Sequence, residues 1–97
     1  MQIGTARLTF HLPYNNSLKG KRQLSQSLIS RLRQRFNVSV AEVDGQELWQ
    51  LLVLGIASVS NQNSHANQVL DEVLAYVRGL QLDAELVGVE RDILPGV

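Results

Sequence analysis

The sequence predicts one α+β domain of split βαβ type, residues 1–97, with a four-stranded antiparallel sheet and two helices on one face. Three observations carry this. Apolar residues alternate with period two in the first segment, and two longer stretches repeat them at helical spacing. Short β-branched runs bounded by turn residues fill the intervals. The elements follow one another as β-α-β-β-α-β.

The first strand runs from Ile3 to Leu12. Ala6, Leu8, Phe10 and Leu12 fall on one face, Thr5, Arg7, Thr9 and His11 on the other, as a half-buried strand requires. Pro13-Tyr14-Asn15-Asn16 has loop chemistry, and Ser17 suits a helix N-cap. From Leu18 to Phe36 the apolar residues Leu18, Leu24, Leu28, Ile29, Leu32 and Phe36 form one amphipathic stripe, which Asn37 ends.

Val38 to Val43 is a short strand, followed by the turn signal Asp44-Gly45. Trp49 to Val59 is almost wholly apolar and reads as a central strand. Asn61 to Ser64 supply capping residues for a second helix. Its stripe is Ala66, Val69, Leu70, Val73, Val77 and Leu80, and Gly79 is the expected C-cap. Ala84 to Leu94 returns to strand with Val87 and Val89 on one face, and Pro95-Gly96-Val97 is expected to be loose.

Right-handed crossovers give this string the ferredoxin-like strand order 4-1-3-2. The start of the first helix and the β2–β3 turn then share one end of the domain. Arg7 and Glu90 should face each other across neighbouring strands on the open side of the sheet. That side is expected to show Thr5, Arg7, Val53, Gly55, Ala57, Leu86 and Gly88, with no aromatic platform of the kind RNA-recognition motifs use. A mildly apolar open sheet suits a second copy or an edge-on partner.

Composition narrows function further. There is no cysteine, so disulfides and thiolate chemistry are excluded. No apolar run approaches the ~18 residues of a membrane helix, and the N-terminus reads as strand, so a cytoplasmic, membrane-free protein is expected. His11 and His65 lack metal-ligand spacing, and Glu42, Asp44 and Glu47 lack that of a calcium loop. No P-loop, G-x-G-x-x-G or G-x-S-x-G pattern is present. Neither a metal, a cofactor nor a catalytic residue is expected.

Charge is the most informative feature. Nine basic and nine acidic residues cancel, yet residues 1–41 hold seven cations and no acid. Residues 42–97 hold all nine acids against Arg78 and Arg91 alone. Such asymmetry marks either an anionic partner or two halves that neutralise each other on folding.

The first helix opens Ser17-Leu18-Lys19-Gly20-Lys21-Arg22. Cations oppose the positive end of the helix dipole, at about 0.3–1 kcal/mol each, and Gly20 weakens the turn further. Lys19, Lys21 and Arg22 around exposed helix amides would form an anion site for phosphate. The competing reading pairs them with Glu42, Asp44 and Glu47.

Arg31, Arg33 and Arg35 close the helix where the dipole favours them. Arg33 shares a side with Lys19 and Arg22, so a basic ridge is half formed, with no DNA-specific signal. Trp49, beside the acidic turn, either stacks a base or anchors the core edge.

Several segments together resemble the YlxP-like family of small bacterial proteins, a domain of unknown function. They are Ser17 to Arg22, Arg35-Phe36-Asn37-Val38-Ser39-Val40-Ala41-Glu42-Val43-Asp44, Leu48-Trp49-Gln50, Val53-Leu54-Gly55-Ile56-Ala57 and Val89-Glu90-Arg91. The resemblance implies a ferredoxin-like fold. It also implies a role near the ribosome, because members' genes often neighbour those of translation initiation and ribosome-maturation factors. Gly20 stands where the resemblance leads one to expect an acid, and Leu51 where a basic residue is common. A ribosome- or RNA-associated, non-catalytic module is the expected function. A homo-oligomeric, protein- or metabolite-binding module using the open sheet face is the alternative.

Overall fold

In a computed structural model, which describes residues 1–96, the elements come in the expected order. They are β1 (Gln2–His11), α1 (Leu18–Arg35), β2 (Ser39–Asp44), β3 (Leu51–Ser60), α2 (Asn63–Gly79) and β4 (Glu85–Leu94). The sheet order is β2-β3-β1-β4 with every neighbour antiparallel. This is the ferredoxin-like arrangement that the crossover rule selects. Arg7 pairs with Glu90 in the β1–β4 register, as expected. Of the expected loose tail, Val97 lies outside the described residues.

The alternation in β1 fixes which face is buried. Ala6, Leu8 and Phe10 point toward the helices and meet Leu52, Leu54 and Ile56 of β3. Leu28 and Leu32 of α1 and Leu70, Val73 and Val77 of α2 close the core from above, with Val69 only half-buried. At the far end of α1, the Arg35 guanidinium lies 4.6 Å from the Tyr76 ring centroid and Phe36 meets the same ring edge-on. These contacts tie the C-terminus of α1 to α2.

Several local expectations are corrected. Trp49 precedes β3, which begins at Leu51, because residues 45–50 are used by the turn. Gly79 ends α2 without a positive φ, and the chain leaves through an extended Leu80. The N-cap of α2 is Gln62 and makes no side-chain cap bond. Its amide instead donates to Ser60 Oγ at 3.1 Å.

Val87 and Val89 do not share a face. A bulge opposite Thr9 lets Leu86 pack against the core and leaves Val87 exposed. Leu86 therefore leaves the open face, and Val53, though on that face, is buried.

Candidate functional site

The end of the domain at the start of α1 is built by Lys21. On a helical wheel Lys21, Ser25, Leu28 and Leu32 make one buried stripe, so the lysine points inward. Its Nζ donates to the carbonyl oxygens of Gly45 and Gln46 at 2.9 Å each and of Leu51 at 3.2 Å. Glu42 Oε2 lies 3.1 Å away as its counter-ion. An ammonium has three donors, and two carbonyls of the β2–β3 turn with that of Leu51 at the start of β3 take all three. At 3% exposure Lys21 is no anion-binding group. The expectation that it joins Lys19 and Arg22 in a phosphate site is corrected: burial turned it into a clamp.

Asn15 completes the weld. Its Nδ2 donates to Ser17 O at 2.7 Å and to Trp49 O at 2.5 Å. The Gln50 amide reaches Pro13 O and Asn15 O, and the Leu12 amide donates to Gln50 O at 2.9 Å. The β1–α1 loop, the first turn of α1 and the turn 45–50 thus form one hydrogen-bonded block.

Gly20 is explained by the same block. A Cβ there would lie 2.3 Å from Asn15 Oδ1. Its amide is capped by Ser17 Oγ at 3.0 Å, so this donor of the helix start is not open to a ligand. The glycine makes room for a side chain of the protein itself.

The acids divide unevenly among the cations. Glu42 belongs to Lys21. Asp44 accepts from the Gly45 amide at 2.8 Å and from Arg7 Nη2 at 2.6 Å, across β3. Those two bonds, the backbone one foremost, hold the Asp44 carboxyl below its ordinary range. Glu47 is exposed and pairs with none of the three cations of the helix start. Lys19 and Arg22 are exposed, with no ion pair or side-chain hydrogen bond among the described residues. The pairing that the charge asymmetry suggested thus holds at Lys21 and Arg7, and within the helix start, among the described residues, at Lys21 alone.

On this block stand large apolar side chains that the core does not take up. Trp49 and Leu48 are each 53% exposed and Tyr14 is 87% exposed. Trp49 borders a shallow concavity of about 550 Å³ with His11, Glu47, Leu48, Gln50 and Leu51. Of the expected site residues, the fold brings Lys19, Lys21, Arg22 and Trp49 to one end. Arg33 is not among them. It lies in the last turn of α1, where its Nη2 donates to Val40 O at 2.8 Å.

Asn15 was legible only as a loop polar and Gln50 only as part of the expected central strand, because nothing in sequence announces a cross-loop bond. Lys21 carried a signal, since its spacing to Ser25, Leu28 and Leu32 extends the apolar stripe.

A family model described as "Protein of unknown function (DUF503)" matches residues 3–91. The chain belongs to this family. The DUF503 chain is also similar to the protein "Uncharacterized protein YlxP" of Bacillus subtilis (strain 168), at 38% identity over 61 residues. That match spans 63% of this chain and 66% of the relative. Among the described residues of the DUF503 chain, no group of three His, Cys, Asp or Glu side chains is placed to hold a metal ion. No described helix is long and apolar enough to cross a membrane.

Proposed function

We propose that this protein is a non-catalytic RNA-binding module acting near translation or ribosome maturation, and that it contacts RNA with the Lys19–Arg22–Trp49 end. One observation carries the proposal. Two cations with no partner among the described residues stand on a helix start that hydrogen bonds tie to the turn holding a half-exposed tryptophan out of the core. Cations on a helix start neutralise phosphates, and an exposed indole stacks a base without regard to its identity. Binding residues concentrate on loops that a rigid scaffold positions. The block formed by Lys21, Asn15 and Gln50 supplies that rigidity.

The experiment is sedimentation of cell extract containing the tagged chain through a density gradient, at low and at high salt. Wild type should travel with ribosomal particles at low salt and be released at high salt. The Lys19→Gln/Arg22→Gln variant should stay at the top in both. Equal co-sedimentation of the two chains, or none by wild type, would sink the proposal.

A further inference from the structure

No helix covers the side of the sheet away from α1 and α2, on which Val53 alone of the paired residues is buried, and the strand registers order it into rows. Ser39, Ala57, Thr5 and Asp92 make one row across the sheet, and Ala41, Gly55, Arg7 and Glu90 the next. Asp44, Val53, Thr9 and Gly88 make a third. Bulges beside this third row add Val43 at the β2 edge and Val87 at the β4 edge. A shallow trough of about 670 Å³ crosses the first two rows.

The two edges of this face are complementary to each other. Arg33 borders the trough on the β2 side, with one of its nitrogens on Val40 O. Glu90 and Asp92 border it on the β4 side, and the Glu90 carboxylate has no partner among the described residues. Val43 and Val87 are 47% and 58% exposed; the Val43 side chain lies over Gly55 of the second row, and Val87 stands beyond the third at the β4 edge. Arg7 and Asp44 neutralise each other within the face.

We infer that this face binds a second copy of the chain, about a two-fold axis running along the strands between β1 and β3. Such an axis lays the β2 edge of one copy over the β4 edge of the other. Arg33 then meets Glu90 and Asp92 of the second copy, and Val43 and Val87 both fall within the interface. Each contact occurs twice, as an isologous interface requires. An axis across the strands would instead set the acids of β4 against themselves, which like-charge repulsion disfavours.

The resulting packing is that of two sheets with aligned strands. Three strands about 33 Å long and one about 20 Å long, about 4.8 Å apart, give a face of roughly 570 Å². A standard interface takes about 800 Å² per partner, so the dimer belongs to the weak class.

The test is sedimentation equilibrium of the whole chain over the micromolar to millimolar range, with thermal melts to confirm folding. Wild type should be a reversible dimer at the upper end. Arg33→Glu and Glu90→Arg should each weaken it about tenfold or more, and the double exchange should restore it. Val87→Lys, at an exposed position that the core does not use, should also weaken it. A wild-type monomer throughout, a double exchange no tighter than the folded single variants, or an unaffected Val87→Lys dimer would overturn the inference. Occupation of the face by a different protein or a small ligand would show itself as the first of these.

Discussion

Lys21 Nζ lies 2.9 Å from the carbonyl oxygen of Gly45, the one residue of the β2–β3 turn with a positive φ, 63°. A buried ammonium thus holds a turn that only glycine adopts without strain. Removing one member of a buried ion pair leaves the other uncompensated, at about 3–5 kcal/mol. Lys21→Ala should cost an amount in that range in a denaturant melt, because Glu42 and three carbonyls lose their partner. Lys19→Gln and Arg22→Gln should change stability little. A loss below about 1 kcal/mol for Lys21→Ala would show that the clamp contributes nothing net.

Gly20 and Gly79 make a matched pair with opposite expected signs. Alanine is the better helix former by up to about 1 kcal/mol, less near an end. At Gly79 a Cβ meets nothing within 4 Å, so Gly79→Ala should stabilise by about 0.4–1 kcal/mol. At Gly20 it meets Asn15 Oδ1, and that side-chain amide moves aside at the expense of the Nδ2 bonds to Ser17 O and Trp49 O. Gly20→Ala should therefore destabilise and change the Trp49 fluorescence. Stabilisation by both variants would remove the packing account of Gly20.

Much of the architecture was legible because its signal is local. Period-two alternation in β1 and the stripes of α1 and α2 assign faces before any pairing is known. Bulges are different, because an extra residue has meaning only against a partner strand. Val87 and Val89 therefore looked equivalent in sequence and are not. At the candidate site, Trp49 and the shared end of the domain followed from topology. The separate fates of Lys19 and Lys21 did not follow from charge; they lay in the spacing of Lys21 to Ser25, Leu28 and Leu32, which turns it inward.

Asp44 makes part of the stability depend on acid pH. Its folded carboxyl titrates below the unfolded one, so ionised Asp44 favours the fold. The contribution is complete above the unfolded value near 3.9 and is lost as pH falls through the lower folded value. Asp44→Asn should lower Tm at neutral pH, and the gap should close as the pH falls below about 4. A gap independent of pH would assign the effect to something other than the carboxylate.

Leu32 is fully buried between α1 and the sheet. Leu32→Ala should cost about 2–5 kcal/mol by transfer and cavity terms together. A smaller loss in urea unfolding would mean that α1 packs less tightly than its stripe implies.

The most direct measurement uses Trp49, the only tryptophan of the chain, as its own reporter. Single-stranded RNA is titrated into the protein while indole emission and the anisotropy of labelled RNA are followed together. The account predicts that emission is quenched in step with binding and that affinity falls as salt rises. The Lys19→Gln/Arg22→Gln variant should then show a salt slope shallower by about one unit for each lost phosphate contact. Binding with unchanged emission would place RNA elsewhere on the molecule, and no binding at low salt would contradict the account altogether.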